Sequence, residues 1–441
     1  MGPTPSATFA SNENTNMIAS IPTRLKLDNA ANIYPASMSK EYCSLYRMKV
    51  TMTEPIDEIL LQEALVTVAE RIPTFRCTLK AGAFWWYLDR CEVTPRVRPL
   101  KPLRNFRFKD QDGLLYRISV SGKDLSLDVF HALADGNGAM IFLMTLSGEY
   151  IRLRYGTTIQ YNSLVLNPKD LPVYDEVEDS FKTVFSGRHG RLERNEDAYH
   201  IRGSVMPFGA VKDLRVQIPV DSVRQVCRQF DCTVTELLTA AMLYALQQEH
   251  RMDPARKKSS VLKVSVPVNL RPLYRSRTVR NFSSYLNLGV DVKDGYLTFD
   301  QLVNAVKAQK QHDLKKENLE PKIAANVELE EMLLVRMIPL ILKHPIIDII
   351  NLLHGDRFCS QTLSNMGNLN VPKALHPFIQ FVDFSLGRQR GNSGAVSCVS
   401  YNGVLCLHMT RKIHGDGFEQ AFLYQLQRLG LKLRTSLAPL A

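Results

Sequence analysis

The chain holds 441 residues, 45% of them hydrophobic and 22% charged, and carries a net charge of +11. These are the values of a globular protein too long for one ordinary core, so two domains are expected. The positive excess suits a polyanion (nucleic acid, an anionic membrane surface or a phosphate-rich cofactor) or else marks a scattered, solvated basic surface.

The first twenty residues contain no Lys or Arg, so no secretory n-region is expected and the expected location is the cytoplasm. Residues 1–22 read as a disordered leader, and the myristoylation-like start Met1-Gly2 is set aside because prolines follow at 3 and 5. Thr53-Glu54-Pro55 starts a helix whose apolar stripe is Ile56, Leu60, Ala64, Leu65 and Val68, ending at Arg71-Ile72-Pro73. A strand is expected over Thr74–Leu79, and the aromatic run Phe84–Leu88 reads as strand core. Tyr116, Ile118 and Val120 alternate with polar residues, Ser121-Gly122-Lys123-Asp124 turns, and Leu125, Leu127 and Val129 return. From Gly136 to about Tyr155 the chain is expected to be helical.

Residues 156–205 are broken by prolines and charge clusters and suggest a connection between domains. The expected division is an N-terminal lobe at 23–175, a linker at 176–205 and a C-terminal lobe at 206–441. In the second half, strands are expected at 213–220, 261–268, 285–292 and 379–384. Helices are expected from Asp221 to Phe230, behind the capping box Thr233–Glu236, from Gln301 to about Lys316, and at the end, closed by Gly430. Asn402-Gly403 marks a hairpin spanning Val396 to Met409. The most apolar stretch, Met332–Leu353, carries Arg336, Lys343, His344 and Asp348, too many charges for a membrane span. It reads as a kinked helix, buried or in peripheral contact with a membrane. Eight cysteines without paired Cys-x-x-Cys spacing lie mostly in apolar segments, the pattern of buried free thiols in a reducing compartment rather than of disulfides or zinc.

The chemistry concentrates in His131-x-x-x-Asp135-Gly136, between the returning strand and the helix. By period two, His131 shares the face of Leu125, Leu127 and Val129 and looks into the protein. A histidine at a strand end can take a proton from a hydroxyl or amine. Asp135 can cap the helix or pair with a buried cation, and Gly136 permits the tight strand-to-helix turn. His414-Gly415-Asp416-Gly417 reads instead as a helix-start turn, and no metal-ligand spacing or phosphate-binding glycine loop occurs. Nucleic acid has only net charge in its favour.

This motif, together with Arg71-Ile72-Pro73-Thr74-Phe75-Arg76, Val266–Pro272, Asn281-Phe282 and Ser364-Asn365-Met366-Gly367, resembles the chloramphenicol acetyltransferase-like, CoA-dependent acyltransferases. That superfamily includes alcohol acetyltransferases and condensation domains. The resemblance spans roughly residues 24–435 and implies an α+β fold: two αβ-sandwich lobes in a V with a tunnel at their interface. It implies His131 as general base toward acyl-CoA, a co-substrate rather than a tightly bound cofactor, and a small alcohol or amine acceptor. Asp135 would pair with an arginine, Arg76 first and Arg71 second, to hold the loop. Ser364, Asn365 and Asn269 are substrate-binding candidates, although Ser364 and Asn365 could equally just end a strand. The basic stretches Arg256–Lys258 and Arg271–Arg280 would meet CoA phosphates or lie in solvated loops. Condensation domains usually carry two adjacent histidines; Phe130 here favours acyl-CoA transfer. Asp383-Phe384-Ser385-Leu386-Gly387 only loosely matches the structural Asp-Phe-Gly-Trp-Gly motif of plant and yeast relatives. The alternatives are transfer from a carrier-protein thioester and a catalytically silent member that binds an acyl or lipid ligand.

Overall fold

The computed structural model describes residues 21–437 except 40–41, 105–106, 191–195, 208, 256–258 and 344–355. The chain opens with β1 (Arg24–Lys26), α1 (Ile33–Ala36), β2 (Leu45–Met52), α2 (Glu58–Arg71), β3 (Cys77–Ala81) and β4 (Trp86–Arg90). It continues through β5 (Val97–Pro99), β6 (Tyr116–Ser121), β7 (Asp124–Phe130), α3 (Gly136–Tyr155) and α4 (Ser180–Phe185). The second half begins with β8 (Lys212–Pro219), α5 (Val220–Gln229), α6 (Val234–Met252), β9 (Val261–Asn269), α7 (Arg271–Tyr274) and β10 (Ser283–Asp291). Then come α8 (Phe299–Asp313), α9 (Lys316–Glu331), α10 (Leu333–Met337), β11 (Gln361–Asn368), β12 (Ile379–Leu386), β13 (Gly394–Tyr401), β14 (Val404–Arg411), α11 (Gly417–Arg428) and β15 (Arg434–Leu437).

Helices and sheets mix as the α+β expectation requires, in two lobes, each with its own buried core. The first lobe packs α2 and α3 on a five-stranded sheet of order β12-β2-β7-β6-β5, beside a small sheet β1-β4-β3. The second packs α6, α8 and α11 around a seven-stranded sheet of order β10-β9-β11-β13-β14-β8-β15. Alternation drives the pairing. Met48 and Val50 of β2 face the core with Leu127 and Leu125 of β7 opposite them. The hairpin turns where expected, with Asn402 and Gly403 both at positive φ (47° and 78°), as a tight β-turn of the primed type demands.

Local corrections have local causes. The first long helix starts at Glu58 rather than Thr53, because the Asp57 carboxylate accepts the N–H groups of Ile59 and Leu60 at 2.9 and 3.1 Å. Pro73–Arg76 is a 3-10 turn, so the following strand starts only at Cys77. In the aromatic run the strand starts only at Trp86; Trp85 lies between the Lys26 and Lys343 ammonium groups, each 3.4 Å from its ring centroid. The helix expected from Gln301 ends at Asp313, and α9 resumes at Lys316. Within the stretch expected to link the lobes, α4 sends Phe181 and Phe185 into the second core. Of the apolar stretch Met332–Leu353, only α10 and a short helical turn up to Lys343 are described; residues 344–355 lie outside the described set. Among the described residues no helix is long and apolar enough to cross a membrane.

The strand β12 crosses the expected division of the chain. It pairs antiparallel with β2, Val382 opposite Val50 and Phe384 opposite Met48, and so completes the first lobe's sheet with residues from the second half. An ion network holds its other face to the second lobe. His408 of β14 gives Nδ1–H to Asp213 at 2.8 Å and Nε2–H to Asp383 of β12 at 3.1 Å, while Arg215 reaches the same Asp383 oxygen at 2.7 Å. Both ring nitrogens donating requires the imidazolium. Burial opposes that charge, but Asp213 and Asp383 outweigh it and raise His408 to about 9. Lys49 faces Asp383 and Asp124, and Cys406, pushed up to about 12 by burial, faces Arg215.

A group whose pKa rises on folding stabilises fully below its unfolded value, near 6.5, and loses that contribution as pH climbs through the folded value. The shift corresponds to about 3 kcal/mol, lost between about pH 6.5 and 9. Urea denaturation at both ends of this window should show wild type losing that stability and His408→Gln nearly flat. A parallel decline in both proteins would remove His408 as the cause.

Candidate active site

The strand β7 ends at Phe130 and α3 starts at Gly136, so residues 131–135 form a short loop between a buried strand and a buried helix. Asp135 is the N-cap, its Oδ1 accepting the Gly138 N–H at 3.0 Å. A positive φ is not what Gly136 supplies; a side chain there would crowd the Met366 sulfur at 2.9 Å. The stricter position is Gly138, where a Cβ would lie 1.8 Å from the Val279 carbonyl oxygen, so only glycine admits that backbone approach.

The partner of Asp135 is Arg271, which corrects the expectation of Arg76 or Arg71. Arg271 forks onto the carboxylate through Nη1–Oδ2 at 2.8 Å and Nη2–Oδ1 at 3.0 Å. Its Nε donates to the Thr278 carbonyl at 2.7 Å, and the Phe282 N–H gives Asp135 a further bond at 2.9 Å. Burial pushes the Asp135 carboxyl up, but Arg271 and these N–H donors outweigh it and hold it below the usual carboxylate range. Arg76 is committed elsewhere, near Glu70 and Glu92 at 3.4 and 3.6 Å. Arg71 forms a buried two-pronged pair with Glu176 at 2.6 and 2.8 Å. Both belong to the motif's own lobe, whereas Arg271 comes from the other lobe, two residues after β9 ends.

His131 is half-buried at the junction of the lobes. Its ring stacks on Tyr34 with centroids 4.4 Å apart and meets Tyr46 edge-on at 5.1 Å. The Tyr46 hydroxyl donates to the carbonyls of Ala134 and Asp135 at 2.8 and 3.0 Å, and the His131 N–H to Ser44 at 2.9 Å. Two side chains in series then set the imidazole's protons. Nδ1 lies 3.1 Å from Asn281 Oδ1, and Asn281 Nδ2 donates to Asp28 Oδ2 at 3.2 Å. Asp28 Oδ1 already accepts the Ala31 N–H at 2.8 Å. An ionised carboxylate can only accept, so Asn281 must aim its amide nitrogen at Asp28 and its carbonyl oxygen at His131. Nδ1 therefore carries the proton, and Nε2 keeps its lone pair. Burial lowers the His131 pKa, against the raising influence of Asp135, so the ring is neutral near pH 7. Asp28 is itself raised to about 6, by burial against the pull of Arg280.

Sequence reasoning missed Asp28, Tyr34, Tyr46, Arg271 and Asn281 as parts of this site. Arg271 and Asn281 carried a signal, since Val266–Pro272 and Asn281-Phe282 were among the family-like segments, but Arg271 was assigned to CoA phosphates or a solvated loop rather than to Asp135. Asn269 sits by the arginine, its Oδ1 accepting the Arg271 N–H at 3.1 Å and Nη1 at 3.2 Å. Ser364 and Asn365 lie on β11; Asn365 donates to Thr235 Oγ1 at 3.1 Å and accepts the Gly367 N–H at 2.8 Å, and its neighbour Met366 abuts Gly136. Arg271 and Arg280 are buried and internally paired, so they are not free to meet phosphates, and Arg256–Lys258 lie outside the described residues. Among the described residues no three His, Cys, Asp or Glu side chains are grouped to hold a metal ion.

No family model matches the chain, and no curated protein does. Solved structures do. The polyketide synthase associated protein 5 from Mycobacterium tuberculosis superposes with a TM-score of 0.61 at 15% identity, over 91% of this chain and 96% of that one. The Fusarium sporotrichioides protein TRI101, complexed with coenzyme A and T-2, gives 0.61 at 10% identity over 93% and 99%. The first condensation domain of the CDA synthetase gives 0.55 at 14% identity over 92% and 94%.

Proposed function

We propose, for a chain with the two-lobed fold of condensation domains and of trichothecene acetyltransferases, that it transfers an acyl group from acyl-CoA to a hydroxyl or amine. The observation that carries this reading is the Asn281 bond to His131 Nδ1, which leaves Nε2 as the ring's proton-accepting nitrogen. In the proposed reaction Nε2 takes the proton from the acceptor as its oxygen or nitrogen attacks the thioester carbonyl. The tetrahedral adduct collapses, the carbon–sulfur bond breaks, and the departing thiolate leaves as free CoA once protonated. Asp135 and Arg271 touch neither reactant; they hold the loop that presents the imidazole.

Several features support this. His131 is neutral, oriented and half-exposed, and coenzyme A is bound in one structure of similar fold. The second reading, transfer from a carrier-protein thioester, draws on the likeness to condensation domains, while Phe130 at the place of their additional histidine weighs against it. The test is free-thiol release from a panel of acyl-CoAs mixed with pooled alcohols and amines. Release that depends on the acceptor supports the first reading. Turnover only with an acyl-carrier thioester would replace it with the second, and acyl-ligand binding without turnover would leave a silent member of the fold. In the first two cases, Asn281→Ala should lower kcat about tenfold, the worth of one hydrogen bond, because the imidazole loses its fixed tautomer. An unchanged kcat and pH profile would remove Asn281 from the orienting role.

A further inference from the structure

The helix α5 ends in a turn that joins two cysteines. Asp231 takes the left-handed conformation at φ 45°, its N–H reaches the Arg228 carbonyl at 3.3 Å, and the Cys232 N–H reaches the Cys227 carbonyl at 2.9 Å. These are the two bonds of a Schellman motif, which brings the side chains at its first and last positions into contact. Apolar residues usually fill those places; here both are cysteines. The 2.9 Å bond leaves their Cα atoms roughly 5–6 Å apart, inside the span that a disulfide bridges.

The surroundings favour reaction at this pair over the other thiols. Cys227 is 8% exposed and Cys232 half-buried, so an oxidant can approach from the Cys232 side. Cys232 directly precedes Thr233, the N-cap of α6, where the helix dipole is positive. Lys307 bonds the carbonyl and carboxylate of Asp231, and Lys310 bonds Thr233 and Glu236 at 3.1 and 2.9 Å, so two ammonium groups flank the turn. The neighbouring Cys232 thiol, against burial, draws Cys227 below its usual range, while Cys232 is raised. Cys43 and Cys77 are pushed by burial up to about 12, where thiolate is scarce.

We propose that Cys227 and Cys232 form a reversible dithiol–disulfide site that clasps the corner between α5 and α6. With a peroxide as oxidant the balance is simple: two thiols give up two protons and two electrons, a sulfur–sulfur bond forms, and hydrogen peroxide takes them up as its O–O bond breaks to give two waters. A dithiol reductant reverses it. The bridge ties the start of α6, whose Thr235 holds the Asn365 amide, to the end of α5. The site is independent of the acyl-transfer reading.

The test treats the whole chain with hydrogen peroxide, alkylates the remaining thiols, digests without reduction and maps the peptides. Trypsin cuts after Arg228, between the two cysteines, so a disulfide joins two peptides that dithiothreitol then separates. The expected result is that linked pair, two hydrogens lighter than the sum of the reduced peptides, and absent from Cys227→Ser. Peroxide-treated wild type should also melt a few degrees higher than its reduced form, with no such shift in Cys227→Ser. Alkylation of both cysteines after peroxide, or sulfinic acid on either without a link, would overturn the proposal.

Discussion

Replacing His131 with alanine should lower acyl transfer by about 10²–10⁴-fold, the span that a positioned general base contributes. The loss should fall on kcat, since the imidazole is asked only to move a proton and not to bind either reactant. Stability should change little: the ring is half-buried, and its main packing partner, Tyr34, remains. The wild-type pH profile gives a second handle. Because burial lowers the His131 pKa, the acidic limb of the rate should have its midpoint below the ordinary histidine value of about 6.5. Steady-state kinetics of CoA release across pH, with circular dichroism on the variant, reads both. Equal rates in the two proteins would move the base to another residue.

Arg271→Leu should unfold the protein far more readily, by about 3–5 kcal/mol, the cost of leaving one member of a buried ion pair alone. Asp135 is only 3% exposed, and without the guanidinium two backbone N–H groups would have to carry its charge. The carbonyls of Thr278 and Arg280 would lose their donor as well. Arg271→Lys keeps the charge but not the fork, so it should fall between wild type and leucine. Adding Asp135→Asn to Arg271→Leu should cost less than the two single changes together, because the stranded charge is gone. Urea denaturation of the four proteins decides this. If Arg76→Leu were the damaging variant and Arg271→Leu harmless, the pairing described here would be wrong.

Much of the fold was legible because it rests on short-range rules. Alternation placed β6 and β7, a capping box placed α6, and Asn402-Gly403 placed the β13–β14 turn. The motif His131–Asp135 was legible for the same reason, being local. Its partners were not. Arg271 is 136 positions from Asp135, and Asn281 is 150 from His131, so no periodicity within either segment could announce them. Arg76 was preferred because the Arg71–Arg76 segment resembles the one in which the acyltransferase superfamily places an arginine ahead of its early strand, yet the ion pair that Asp135 makes closes across the lobes. The starts of α2 and β3 were misplaced for a smaller reason: Pro55 and Pro73 each allow a helical turn, and Asp57 captured the first while a 3-10 turn used the second.

The placement of β12 has a consequence for how the chain is made. On a ribosome the first lobe's sheet cannot be finished until residue 386 has emerged, some 330 residues after β2. Until then β2 offers an open hydrogen-bonding edge, the kind of surface that pairs with other chains. Late, long-range closure of this sort slows folding and lengthens the exposure of such an edge. The two lobes are therefore not separable parcels. A fragment stopping before β12 would carry a complete helical layer on an incomplete sheet, and a half-made chain would depend on its own last quarter to become safe from its neighbours.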